Sequence, residues 1–166
     1  MNDDITSSPF PPTETTFRLW LDWFGGARLA ELPPGIVIAG SLDLGGNPRV
    51  TGLPERLTVN GWLGLRCCPH LQSLPKGLKV GGWLNVFSCT RIQSIPDGLN
   101  VGDFFSLQGC ASLQSLPEGM KVDRWLSLRG CPSIQSLPEG LDARTIYLDR
   151  KDILVPQHLR HKVRYW

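Results

Sequence analysis

A repeat of 21 residues runs through most of this sequence and limits what it can fold into. The dipeptide Leu-Pro, replaced once by Ile-Pro, recurs at this interval without insertion, starting at Leu32, Leu53, Leu74, Ile95, Leu116 and Leu137. We number the repeat positions from this first residue and call the six copies coils 1 to 6. Fixed periods of roughly 20–50 residues are typical of repeat architectures, so we expect a stack of similar coils.

The apolar pattern within each copy predicts how one coil is built. Apolar residues at positions 5, 7, 11 and 13 alternate with polar ones, which is the periodicity of a β-strand. Glycine at position 9, as in Gly40, Gly61 and Gly82, predicts a bend between a short strand and a main strand. Coil 6 fits only after the loss of one residue, which places Ile146 and Leu148 at positions 11 and 13.

Stacking of the coils is the expected source of stability, because no single coil can bury its own apolar edge. Successive strands then pair in parallel, about 4.8 Å apart. Positions 16, 19 and 1 are also apolar but more widely spaced, which suggests a tight return arc. Proline at position 2 has no N–H, so this arc is not expected to be an internal strand of the sheet.

The segment L-x-L-x-x-C/N-x-x-L occurs five times and resembles the signature of leucine-rich repeats. The Q-S-L-P-x-G-L that follows is similar to the proline-containing segment of bacterial LPX-type repeats, which are found in type III secretion effectors. The resemblance covers about residues 32–156. It implies a leucine-rich-repeat solenoid with a parallel β-sheet, in a bacterial protein that stays in the cytosol or is injected into a host cell.

Four segments are predicted along the chain. Residues 1–16 are polar and proline-rich and are expected to be disordered, and residues 17–31 are expected to form an N-terminal capping helix and linker. Residues 32–156 form the repeats, and residues 157–166 form a C-terminal cap. The first helix is predicted from the spacing of Phe17, Trp20, Leu21 and Phe24, and the second, basic helix from Leu159, Val163 and Trp166. Membrane or partner binding is the alternative role for the first helix.

Composition and motifs favour a cytoplasmic binding protein over an enzyme. The net charge is only +2, the N-terminus lacks the pattern of a signal peptide, and no apolar run is long enough to span a membrane. The sequence has neither a phosphate-binding G-x-x-x-x-G-K loop nor a histidine that recurs beside a nucleophile. We therefore expect no catalytic residues and no cofactor.

The five cysteines are explained by the repeat better than by a metal site or disulfides. Position 16 should face inward, where a thiol packs as a small apolar group or bonds to the backbone. No C-x-x-C pair is present, and Asn47 replaces Cys in coil 1, so we expect no bound metal. The cysteines are Cys68, Cys89, Cys110 and Cys131 at position 16, with Cys67 at the outward position 15 as a potential reactive thiol.

Position 10 carries large aromatic residues on the outward side of the main strands. Alternation with the inward positions 11 and 13 places one ring per coil on this face, at Trp62, Trp83, Phe104 and Trp125. Such a stripe with polar neighbours is typical of a partner-binding surface. Stacking that merely stiffens the sheet is the alternative. The predicted contact residues beside the rings are Arg66, Asn85, Phe87, Gln108 and Arg129, with cation–π contacts expected for Arg66 and Arg129.

Three kinds of partner are compatible with this face. A protein partner is favoured, because aromatic and arginine side chains dominate the energy of protein interfaces. A glycan or a single-stranded nucleic acid stacked on the rings is the second hypothesis, although the low net charge disfavours nucleic acid. The third is a homodimer formed through the same face.

Overall fold

The computed structural model describes residues 26–165, so the predicted disordered segment 1–16 and the predicted helix over residues 17–24 lie outside the described residues. The described chain is a parallel β-solenoid of about six coils, which confirms the predicted repeat architecture. Its strands are β1 Val37–Ile38, β2 Leu42–Asp43, β3 Thr58–Val59, β4 Leu63–Gly64, β5 Lys79–Val80, β6 Leu84–Asn85, β7 Asn100–Val101, β8 Phe105–Ser106, β9 Lys121–Ser127, β10 Asp142–Leu148 and β11 Val163–Tyr165.

Strands of successive coils pair in parallel with a register of one repeat. Leu42 pairs with Leu63 and Leu63 with Leu84 in the main strands, and the short strands pair in the same register. The hydrogen bonds continue past the strand ends, since the N–H of Leu44 donates to the carbonyl of Gly64 at 2.8 Å. Equivalent positions of every coil therefore form columns along the array, each facing either the core or the surface.

Glycines form the bend between the short and the main strand. A Cβ added to Gly81 would lie 2.2 Å from the carbonyl oxygen of Asn60 in the preceding coil. A Cβ on Gly102 would lie 2.1 Å from the carbonyl oxygen of Gly81. A side chain cannot occupy either place, so the close approach of the stacked backbones requires glycine. The predicted bend is confirmed, although in coil 4 the glycine stands at position 8 instead of position 9.

The bend disappears in coils 5 and 6. Asp123 and Arg124 replace the glycines at positions 8 and 9, and β9 runs straight through, joining the short-strand row to the main-strand row. In β10, Ile146 lies opposite Leu126, which confirms the predicted loss of one residue. The register shifts at Arg144. This one residue of β10 lies opposite two residues of β9, Asp123 and Arg124, which makes a β-bulge.

The inward columns form one continuous apolar core. Leucine at position 11 is fully buried in coils 1, 2, 3 and 5, and Phe105 replaces it in coil 4. Phe105 is also the largest fully buried side chain of the described residues. Just past the main strands of coils 1 to 5 the chain turns at position 15 with a left-handed backbone. Cys67 and Ser88 adopt this conformation, at φ 54° and 56°, where other coils have glycine.

Short 3₁₀ helices flank the described array. Gly26–Glu31 precedes coil 1 and buries Leu29, and Gln157–Lys162 follows coil 6 and buries Leu159. The predicted C-terminal helix is therefore shorter than expected, because from Val163 the chain extends as β11 and pairs with β10. Val163 is buried by this strand pairing and not by a helix face. No described helix has the length and apolarity that a membrane crossing requires.

Candidate recognition surface

The position 10 rings form a continuous stack, which we call the aromatic stack. Trp62 and Trp83 lie face to face with ring centroids 4.4 Å apart and 4° between their planes. The next two steps, to Phe104 and then to Trp125, are 5.6 Å and 4.4 Å with planes 3° apart. These spacings are close to the separation of paired strands, about 4.8 Å. The repeat register therefore places successive rings at a distance that allows stacking.

The rings lean over the main strands, and each of them is half-buried. A Cβ on Gly64 would lie 3.3 Å from Cζ3 of Trp62, so the ring covers position 12 of its own coil. That position holds small polar residues in the neighbouring coils, including Asn85 and Ser106. Small residues at position 12 thus give the rings room to lie over the sheet while one edge stays in contact with solvent.

The two ends of the aromatic stack differ. At the C-terminal end the ring of Tyr147 meets Trp125 edge-on, with centroids 5.9 Å apart and planes at 84°. At the other end position 10 of coil 1 is Ser41, whose Oγ accepts a hydrogen bond from the backbone N–H of Trp62 at 3.1 Å. Tyr147 is not among the contact residues predicted from the sequence, although the shortened register of coil 6 places it at position 12 beside this column.

Phe87 is the most exposed aromatic side chain of the main-strand face, with 38% of its surface accessible. It stands at position 14 between Arg66 and Gln108, so it belongs to the same outward face as the aromatic stack. The side chain of Asn85 accepts a hydrogen bond from the backbone N–H of Phe87 at 3.0 Å, which fixes the local backbone. We call the outward side of the main strands, with this column and the aromatic stack, the sheet face.

The arginines of the sheet face have different surroundings. The guanidinium of Arg66 lies 3.9 Å from the carboxylate of Asp43, and the two form an ion pair between coils 2 and 1. Its side chain is 59% exposed, and such a pair contributes little to stability. Arg129 and Gln108 are half-buried in the same column. The structure thus brings all of the predicted contact residues to one face.

The cysteines at position 16 form an inward column with a structural role. The thiols of Cys89 and Cys110 donate to backbone carbonyls of the preceding coil, those of Leu65 at 2.9 Å and Val86 at 3.2 Å. The remaining two, Cys68 and Cys131, make the equivalent bonds. Burial raises the pKa of Cys110 to about 12 and that of Cys131 to about 11. The predicted backbone bonding is confirmed, and each thiol links two adjacent coils.

Polar and titratable residues also lie outside the sheet face. Within residues 26–165 there is no group of three or more His, Cys, Asp or Glu side chains placed to hold a metal ion. His158 lies 3.4 Å from Glu139 at the C-terminal end of the array. The exposed Cys67 sits on the turn after the main strand of coil 2. The chemistry that the described surface offers most clearly is therefore apolar and aromatic contact on the sheet face.

Comparison with protein-family models, with curated proteins and with solved structures found no match for this chain.

Proposed function

We propose that this protein is a non-catalytic recognition module that binds a protein partner through the sheet face. The observation that carries the proposal is Phe87, an aromatic side chain that is 38% exposed in the middle of the array. The other large apolar side chains exposed in the described chain are Val37 in coil 1 and Leu154 and Tyr165 near the C-terminus. Phe87 shares the sheet face with the partly exposed rings of the aromatic stack, and an apolar surface of this kind with polar neighbours is typical of a partner site.

The aromatic stack supports a protein partner over a glycan or a nucleic acid. Sugars and bases stack on the faces of aromatic rings. Both faces of Trp83 and Phe104 are occupied by neighbouring rings, and the outer side of Trp125 is met by Tyr147. What Trp83 and Phe104 still offer is their ring edges, beside small polar residues. Such a surface suits the mixed apolar and polar contacts of a protein interface.

The finer classification is part of the same proposal. The Leu, Pro and Cys/Asn positions of the repeat support a leucine-rich-repeat protein of the bacterial LPX type. On this reading the protein acts in the bacterial cytosol, or in a host cell as a secreted effector. The alternative is a homodimer formed through the sheet face. Sedimentation velocity on the purified chain distinguishes self-association from binding of a different protein.

The experiment compares exposed apolar residues on and off the sheet face. The wild type recovers a partner from lysate, the partner is purified, and its affinity is measured by calorimetry for Phe87→Ala and for Leu154→Ala. Leu154 is 72% exposed at the C-terminal end of the array and serves as the matched control. Both changes leave the core intact, so thermal melting should show the same midpoint for all three proteins.

We expect Phe87→Ala to weaken binding at least about tenfold, the usual effect of losing an interface anchor, while Leu154→Ala binds as the wild type does. Equal affinity of the wild type and Phe87→Ala would remove the sheet face as the binding surface. A concentration-dependent dimer in sedimentation that Phe87→Ala abolishes would instead assign the face to self-association.

A further inference from the structure

A surface groove lies at the C-terminal end of the array. It has a volume of about 600 Å³ and is formed by β9, β10 and the segment that leads into β11. Its lining includes the charged side chains of Asp123, Asp142, Arg144, Lys162 and Arg164, together with His161. None of these residues belongs to the aromatic stack or to the core.

Arg144 is placed in this groove by the β-bulge between β9 and β10. Bulges change the direction of a side chain relative to the regular alternation, and they are common beside binding sites. The side chain of Arg144 is exposed, and it has no hydrogen bond or ion pair with a described residue. Its guanidinium therefore presents a full set of N–H donors to the groove.

Arg164 contributes a second guanidinium whose position is fixed by the backbone. Its Nη1 donates to the carbonyl oxygens of His161 at 2.9 Å and Val163 at 2.8 Å. These bonds use one nitrogen, which leaves Nε and Nη2 without a partner among the described residues. A guanidinium held in this way pays less entropy when it binds an oxyanion, because its orientation is already restricted.

The carboxylates of the groove do not cancel its positive charge. Asp142 lies 3.8 Å from the Nζ atoms of both Lys121 and Lys162, so one carboxylate faces two ammonium groups. Asp123 is the other carboxylate in the lining. Against these two acids stand three cations in the lining, Arg144, Lys162 and Arg164. The net charge of the lining is therefore positive, even when His161 is counted as neutral.

We propose that this groove binds a phosphate-sized oxyanion, held by the guanidinium groups of Arg144 and Arg164. Both arginines line the same groove and have free N–H donors, and guanidinium groups bind phosphate oxygens with paired hydrogen bonds. The bound group is either free inorganic phosphate or a phosphate carried on a serine side chain. Both present the same dianion to the groove.

The test is a titration followed by two-dimensional NMR at constant ionic strength, with inorganic phosphate and with phosphoserine as separate probes. Amide signals of residues 142–145 and 161–164 should shift and saturate. Arg144→Gln and Arg164→Gln should each weaken the binding about tenfold, as expected for the loss of a charge-assisted contact. Arg91→Gln serves as the control, because Arg91 is exposed on coil 3 outside the groove. Thermal melting verifies that each variant is folded, and the two groove variants provide independent tests if one of them is unstable.

Saturable shifts with inorganic phosphate would support a free-anion site, and tighter binding of phosphoserine would favour a phosphorylated ligand. Shifts spread over all surface arginines and lysines, or equal affinity of wild type, Arg144→Gln and Arg164→Gln, would overturn the proposal. These readouts use no protein partner, so their failure leaves the function proposed for the sheet face untouched.

Discussion

Two buried cysteines, Cys110 and Cys131, should destabilise this protein by about 2.7 kcal/mol when the pH is raised from 8 to 10. Cys110 and Cys131 are 0% and 1% exposed, and each donates its proton to a carbonyl of the preceding coil. Burial raises the pKa of Cys110 to about 12 and that of Cys131 to about 11, both well above the ordinary value of 9.0. The folded protein therefore keeps both protons at pH values where the unfolded chain loses them.

The sign and the size of the effect follow from proton linkage. Above pH 9 the unfolded state binds fewer protons than the folded state, so the free energy of unfolding falls as the pH rises. The contribution of the thiols is complete below pH 9 and is lost progressively toward pH 11 to 12. Each thiol costs about 1.4 kcal/mol per pH unit in this window. At pH 10 the two thiols together remove about 2.7 kcal/mol, a large part of a typical total of about 5–15 kcal/mol.

The assay is urea unfolding followed by circular dichroism between pH 7 and pH 10, with a reductant present. The double variant Cys110→Ser/Cys131→Ser keeps hydroxyl donors near the same carbonyls but has no ionisable thiol at these two positions. It should lose about 2.7 kcal/mol less than the wild type between pH 8 and pH 10. Cys67→Ser, which changes the exposed thiol, should follow the wild type. Parallel pH profiles for the wild type and the double variant would refute the reasoning.

Two further changes probe the core and the turns. Phe105→Ala should lower the free energy of unfolding by about 3–5 kcal/mol, because it leaves a large cavity at a fully buried position. Phe105→Leu introduces the residue that coils 1, 2, 3 and 5 have at this position and should cost less than about 1.5 kcal/mol in the same urea assay; equal losses for the two would contradict the packing. Cys67→Gly should raise the melting temperature, since φ of 54° is strained for a side chain and relief is worth about 1 kcal/mol. The glycine already present at this turn in Gly46 gives the reference conformation, and a lower melting temperature for Cys67→Gly would count against strain at this position.

The repeat register could be derived from the sequence because it depends on spacing alone. Leucines at intervals of 21 residues must align once the coils stack, and Leu42, Leu63 and Leu84 do so. The bend could also be predicted, since glycine is the residue that allows backbones to approach so closely. The loss of the bend in coil 5 is also visible in the sequence. Asp123 and Arg124 have side chains at the two positions where coil 3 has glycines, and the close backbone contact at the bend leaves no room for them.

The C-terminal end was harder to predict because two periodicities coincide there. Leu159, Val163 and Trp166 are spaced as on one face of a helix, yet Val163 is buried through strand pairing with Ile146. A short segment at the end of a sheet gains backbone hydrogen bonds that local spacing does not reveal. The pairing of β11 with β10 determines the structure of this segment. The spacing of apolar residues in a single sequence does not reveal such a long-range pairing.

The orientation of the aromatic rings depends on side-chain rotamers, which the strand alternation does not determine. The sequence placed one ring per coil on the outward face, but rings in that column can project into solvent or lie flat against each other. Stacked ring pairs are worth about 0.5–1.5 kcal/mol each, so the observed stack stabilises the array whether or not a partner binds. Replacing Trp83 would therefore disturb both folding and recognition. Phe87 is exposed and is not one of the stacked rings, so its substitution can distinguish stabilisation of the array from the proposed binding. Its removal should weaken binding and leave the fold unchanged.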